Sequence, residues 1–252
     1  MSGGTAEIVI RRTGTETDLG GLPPERVRYL KVSSEKKTAD LDFLEAYPNV
    51  TQLFLRGRFA DINAVSVLAG LGSLTLYLSG AVDFSGLQVP ALRDLTVGGP
   101  VDGSVSHLLT GSVERLELSG ARRLADLSFL EGAGGLRKLY LRSLPAAEAL
   151  PDLGKLPNLY ALKLYELHKL SGVDSLTRSA IRYLAVSLSA DKLSGTKLAE
   201  VLLGMERLER ASLRGLDRSG LRRWGVIENR LKKAGREALL AEDLDMTRWE
   251  LL

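Results

Sequence analysis

Two histidines, His107 and His168, are the only side chains in this 252-residue sequence whose ordinary pKa lies near neutrality. Asp102, Ser104 and Ser106 precede the first, and Ser171 and Asp174 follow the second. These are the residue types of a hydrolytic triad. A triad, however, is made by convergence in space around an oxyanion hole, which proximity along the chain does not supply, so both histidines read as loop or turn residues. There is no cysteine, and two histidines without a thiolate make a poor transition-metal site. Gly132-Ala133-Gly134-Gly135 lacks the dinucleotide spacing, and Gly154-Lys155-Leu156 lacks the hydroxyl residue and upstream glycine of a P-loop. The expectation is a protein that is not an enzyme, with no cofactor and no metal.

Aromatic and basic residues offer more. Tyr29, Phe54, Arg56, Tyr77, Arg115, Lys138, Tyr140, Arg142, Lys163, Tyr165 and Tyr183 all stand beside or between regularly spaced leucines and valines. Tyr and Arg are the types enriched in interface cores and hot spots, so these eleven form the candidate partner-binding set. The chemistry is recognition: ring stacking, cation–π contact and pairing with carboxylates.

The elements that must position them repeat. Leu136-Arg137-Lys138-Leu139-Tyr140-Leu141 carries apolar residues at positions one, four and six. The pattern recurs at Val27, Val50, Leu92, Val113, Leu159 and Ile181, and more weakly at Leu208. The third copy is blurred because Leu74, Leu76 and Leu78 are all apolar; placing Leu76 and Leu78 in the last two slots keeps a period of 23 (78 minus 55). Alternation predicts a short strand in each copy with one face buried. The stretch after each strand, as in Asp126-Leu127-Ser128-Phe129-Leu130, is long enough for one turn of 3₁₀ or α-helix. Thr196 to Met205 is the exception, with Leu198, Val201, Leu202 and Met205 at helical spacing. A fixed period of this length signals a solenoid, in which stacked units bury one continuous core.

On these hexapeptides the sequence resembles the leucine-rich repeat family, specifically the short 22- to 23-residue bacterial, internalin-like type. The resemblance runs from Val27 to about Leu216. It implies an α/β solenoid: a leucine-rich repeat horseshoe with a concave parallel β-sheet, short 3₁₀ or α turns on the convex side and a C-terminal capping helix. The family's asparagine, three residues after the last strand leucine, is missing; Arg58, Ala81, Pro100, Ala121, Leu144, Leu167, Ser189 and Leu216 stand there. Exposed ends require caps. The expected division is an N-terminal cap strand and loop over 1–26, repeats over 27–216, and a helical cap over 217–252. Thr5 to Arg12 reads as a short strand around Ile8-Val9-Ile10, and Thr13 to Pro24 as loop. Leu221, Trp224, Ile227, Leu231, Ala234 and Ala238 form one helical stripe, with Trp249, Leu251 and Leu252 behind it.

In such strands the residues flanking the leucines point away from the core. That set holds eight cations (Lys31, Arg56, Arg115, Lys138, Arg142, Lys163, Arg210 and Arg214) and two carboxylates (Asp94 and Glu117). It is therefore net +6, whereas the whole chain, with 34 Lys plus Arg and 31 Asp plus Glu, is only +3. Five of the seven tyrosines fall in the same set. The expected partner is a protein or peptide with an acidic surface. The alternative is nucleic acid, bound through this face and the basic cluster Arg218, Arg222, Arg223, Arg230, Lys232, Lys233 and Arg236; the favoured reading of that cluster is the solvated side of a capping helix. Absence of cysteine favours a reducing compartment, and no apolar run reaches the roughly 20 residues of a membrane span. Met1 to Thr5 shows no signal pattern, so the expectation is a cytoplasmic protein with no membrane partner.

Overall fold

One hexapeptide cannot shield its own three apolar side chains, so the units stack. The computed structural model describes residues 4–11, 14–35, 38–187, 192–214 and 218–240. All nine hexapeptides form strands there, and the chain packs as two compact units, Met1–Ala121 and Arg122–Leu252. The first unit holds β1 (Gly4–Arg11), β2 (Gly14–Asp18), β3 (Val27–Ser34), β4 (Gln52–Gly57), β5 (Ser73–Leu78), β6 (Asp94–Gly98) and β7 (Arg115–Ser119). Its strands lie in the order β2-β1-β3-β4-β5-β6-β7, parallel except for the β1–β2 hairpin. The second unit holds β8 (Lys138–Arg142), β9 (Ala161–Tyr165), β10 (Tyr183–Ser187) and β11 (Arg210–Arg214), parallel and in sequence order. Helix α1 (Gly195–Gly204) precedes β11, and α2 (Arg218–Lys233) follows it. The architecture is that of a leucine-rich repeat solenoid.

Register stacks like on like. Leu30, Leu53, Leu74, Leu95 and Leu116 lie opposite one another in the first unit. Leu139, Leu162, Leu184 and Ala211 do so in the second. All are at most 2% exposed. This pairing corrects the third repeat: Leu74 and Leu76, not Leu76 and Leu78, face Leu53 and Leu55. The repeat is 21 residues (74 minus 53) rather than 23, and its outward positions are Ser73, Thr75 and Tyr77. A slip of two leaves each side chain on its own face, so the alternation alone could not detect it.

The return paths are 3₁₀ turns at Asp42–Ala46, Ile62–Val67, Gly103–Leu108, Ser128–Gly132, Leu153–Lys155 and Asp174–Arg178, and α1 occupies the segment expected to be helical. Leu44, Val65, Leu108, Leu130, Leu153 and Leu176 anchor these turns in the core. Aspartates order them. A carboxylate oxygen accepts the N–H two residues on at Asp61 (2.8 Å), Asp83 (2.9 Å), Asp102 (2.9 Å), Asp126 (2.8 Å) and Asp152 (3.2 Å). At the missing-asparagine position, Arg58 donates instead to the Ser79 carbonyl at 3.2 Å.

The backbone N–H and then the hydroxyl of Ser85 hold the Asp83 carboxyl below the usual carboxylate range, and Ser128 does the same to Asp126. A carboxyl depressed by folding adds stability above its unfolded pKa of about 4 and loses it as pH falls through the folded value. Thermal melts between about pH 6 and pH 2 should therefore fall less steeply with acid for Asp83→Asn/Asp126→Asn than for the parent.

The ends differ from expectation in two respects. Residues 14–18 are not loop but the edge strand β2, antiparallel to β1, with Arg11 donating to Glu16 at 2.9 and 3.1 Å. Gly-Thr-Glu-Thr-Asp has no apolar residue for a periodicity to register. The cap is thus a hairpin, burying Ala6, Ile8 and Ile10. At the other end α2 buries Gly220, Ile227 and Leu231, while Leu221 is 64% exposed and Ala234 and Ala238 are also exposed. A Cβ on Gly195 would lie 2.8 Å from the Arg223 carbonyl. The two helices α1 and α2 approach closely at that glycine, and Leu221 stands about 100° around α2 from the buried Gly220. Trp249, Leu251, Leu252 and Leu216 lie outside the described residues.

Candidate functional site

Most flanking residues are half-buried or exposed, Gly98, Ala161, Ala185, Ser187 and Ser212 are buried, and the two units carry different surfaces. In the first unit Tyr29, Phe54 and Arg115 are half-buried, while Arg56 and Tyr77 are exposed. Tyr77 lies across from Arg56 and Gly98. A Cβ on Gly98 would come within 2.7 Å of its ring, so the glycine makes room for it. The ring reaches diagonally to Phe54, with centroids 5.6 Å apart. Charge here is largely matched: Lys31 pairs with Glu7 at 2.8 Å, a carboxylate contributed by β1, and Arg115 with Asp94 at 2.9 Å. Arg56 has no ion-pair partner among the described residues.

The second unit gathers the cations. Its outward strand positions hold Lys138, Arg142, Lys163, Arg210 and Arg214 and no carboxylate. Lys163 sits between two rings, its Nζ 4.4 Å from the centroid of Tyr140 and 5.3 Å from that of Tyr165. Those rings meet edge to face at 6.2 Å. Tyr160, one residue before β9, extends the cluster: its ring lies 5.9 Å from Lys138 Nζ, 5.6 Å from the Arg137 guanidinium and 6.5 Å from the Tyr183 ring. Aromatic pairs and cation–π contacts each add about 0.5–1.5 kcal/mol, so the patch is held in shape before anything binds. Beside it Ala185, Ser187 and Ser212 form a floor of small, buried side chains.

Two carboxylates stand at the rims. Glu209, one residue before β11, accepts from Arg182 at 2.6 Å and from the Tyr183 hydroxyl. Glu166, one residue after β9, accepts from the Ser143 hydroxyl and lies 3.6 Å from Arg142. Its carboxyl is held below the ordinary range, first by Ser143, against partial burial that pushes the other way, and also by Arg142. Ser143 and Glu166 both have left-handed backbones, with φ of 52° and 56°. They occupy the column where the first unit places Gly57, Gly99 and Gly120. Non-glycine residues there cost about 1–2 kcal/mol each. Replacement of the glycine of Gly57, Gly99 and Gly120 by Ser143 and Glu166 in successive repeats was the available signal for those two residues. Tyr160 falls at a repeat position that alternation leaves unassigned.

The other candidates lead elsewhere. His107 and His168 are exposed, and among the described residues no group of three His, Cys, Asp or Glu side chains could hold a metal ion. No helix of the described residues is long and apolar enough to cross a membrane. In the C-terminal basic cluster, Arg230 pairs with Glu200 at 3.0 Å and Arg236 donates to the Leu203 and Met205 carbonyls at the end of α1. Those two arginines serve the cap.

No protein-family model and no curated protein matches the sequence. Solved structures that resemble the fold include the internalin InlF of Listeria monocytogenes, at 15% identity over 88% of both chains with a TM-score of 0.41. They also include the functional domain of InlJ from Listeria monocytogenes, which includes a cysteine ladder; it is 13% identical over 82% of this chain and 49% of its own, with a TM-score of 0.47.

Proposed function

We propose that the chain is a non-enzymatic, intracellular protein- or peptide-binding module that works through its outward strand face. In this reading residues 27–216 are the binding array, and 1–26 and 217–252 cap it. The observation that carries the proposal is the concentration of surface rings on that face: Phe54 with Tyr77 in one unit, and Tyr140, Tyr160, Tyr165 and Tyr183 in the other. Exposed aromatics cost solubility unless a partner covers them, and buried tyrosines at interfaces commonly contribute about 2 kcal/mol or more each.

Phe54→Ala/Tyr140→Ala tests it. Both residues are outward and half-buried, so the double variant should still fold cooperatively, its melting midpoint lowered only by the ring and cation–π contacts removed. Capture of partner proteins from an extract of the source cells should fall roughly tenfold or more. Equal capture by the parent and the double variant would remove the strand face as the binding site.

A further inference from the structure

We infer that the strand face of the second unit docks an acidic peptide segment, and that Glu166, positioned by Ser143, determines where along the face that segment must be free of acid. The inference rests on the protein-binding reading above and narrows it to one patch and one ligand chemistry.

Charge comes first. The outward positions of β8 to β11 are cationic at five places and acidic at none, whereas those of β3 to β7 carry both signs. The cations are also presented in fixed positions. Lys163 is stacked against Tyr140 and Tyr165, and Lys138 against Tyr160. A lysine held over rings keeps its charge at the surface with less rotamer freedom left to lose on binding.

The rims decide between classes of anion. Glu166 stands beyond the C-terminal end of β9, and Glu209 before the N-terminal end of β11. Three outward residues on a strand span about 13 Å at roughly 3.3 Å per residue. A nucleic-acid strand carries phosphate at every step, so along β9 it would meet Glu166 and along β11 it would meet Glu209. A peptide can place Asp and Glu over the lysines and a neutral or basic residue at the rim, so the pattern fits a peptide.

Backbone strain is the independent observation. The repeat places glycine at this turn at Gly57, Gly99 and Gly120 in the first unit, yet Ser143 and Glu166 take a left-handed backbone close to that of Gly120 in the second. Ser143 donates to Glu166, and the Ser143 N–H binds the Tyr165 carbonyl at 2.9 Å. Two adjacent strained residues joined to each other fix a carboxylate beside Tyr165 and Arg142. Strain of this kind is retained where the side chains have a use, and here the use is discrimination along the groove. Ser143 is a positioning residue; Glu166 is the one that meets the ligand.

The test is an array of random dodecapeptides probed with the purified full chain, followed by anisotropy titration of the best fluorescein-labelled peptide. The parent should select Asp- and Glu-rich sequences with one position that excludes them. Lys138→Glu/Lys163→Glu should reverse the preference to basic peptides and weaken the selected peptide by roughly tenfold or more, a loss that steepens at low salt. Arg56→Glu, in the first unit, should weaken it less than the lysine pair does, whereas Arg123→Glu, on an exposed turn away from the strand face, should change neither. Glu166→Gln should relax the excluded position and tighten acidic peptides about three- to tenfold. Melting curves establish that each variant is folded. Peptides selected without charge preference, or unaffected by the lysine reversal, overturn this inference and leave the broader binding reading in place. Loss with Arg56→Glu and not with the lysine pair moves the patch to the first unit and also overturns it. Selection of no peptide overturns it as well, and capture from extract then decides the broader reading separately. Oligothymidylate bound more tightly than any peptide at physiological salt overturns it in favour of nucleic acid.

Discussion

Leu139→Ala is expected to lower the free energy of unfolding by about 2–5 kcal/mol, enough to leave a domain of ordinary stability marginal. Leu139 is fully buried on β8, with Leu162 opposite it on β9. Removal of its isobutyl group forfeits the transfer free energy of the missing carbons and leaves a cavity as well. Relaxation is restricted, because β8 and β9 are tied along five paired residues and cannot close up without breaking the ladder. The neighbouring outward residue makes a control within the same strand. Lys138→Ala removes a half-buried surface side chain with its cation–π contact to Tyr160 and should cost no more than about 1 kcal/mol in stability. Urea denaturation of the three proteins checks the pair. A shift in midpoint without a change in slope identifies lost packing, whereas a changed slope would show that the two units of the chain no longer unfold together.

Leucine spacing made the strands legible because a buried strand must alternate and a stacked repeat must recur. Nine strands, the 3₁₀ returns and α1 follow from those two requirements. What spacing could not resolve has physical reasons. In β5 three alternate leucines satisfy either of two registers, and the choice is made by the length of the preceding return, which holds Leu74 opposite Leu53. In β2 the strand owes its existence to backbone pairing with β1 and buries no apolar residue of its own. In α2 a stripe of apolar residues is only a set of options, of which packing covers Ile227 and Leu231 and leaves Leu221 exposed.

The binding face shows the same division. That Tyr140, Lys163 and Tyr165 point outward was readable from their positions between leucines. That Lys31 and Arg115 are matched by Glu7 and Asp94, while the second unit's cations have no acid among them on the strands, depends on which strands are neighbours. Inter-repeat ion pairs such as Glu131–Lys155 at 2.6 Å and Asp152–Arg178 at 3.1 Å are likewise spaced near one repeat, at 24 and 26 residues. They lie at the solvent boundary, where screening and side-chain entropy leave such pairs little net effect on stability. They follow the repeat without specifying it, and the stacking is left to the buried leucines.

Gly99→Ala is expected to cost about 3–5 kcal/mol, against about 1–2 kcal/mol for Gly120→Ala. Both glycines begin the turn that leaves a strand, and both have positive φ, 117° and 70°. Their surroundings separate them. A methyl group on Gly120 meets nothing closer than 3.6 Å, and φ near 70° lies in the left-handed region that Ser143 and Glu166 occupy. Its penalty is that of the backbone conformation alone. At Gly99 the added carbon would stand 2.2 Å from the Leu78 carbonyl oxygen, inside any contact distance, and the obstacle is backbone that cannot rotate aside. The strain is therefore joined by displacement of β5 relative to β6, whose pairing sets Tyr77 against Gly98. Gly57 faces the same situation, 2.8 Å from the Ser34 carbonyl. If the column is read this way, urea midpoints should fall in the order parent, Gly120→Ala, then Gly57→Ala and Gly99→Ala. A Gly99→Ala protein as stable as Gly120→Ala would mean that the repeat can shift by about an ångström at this turn without loss, and the glycine column would then report conformation only, not close packing between repeats.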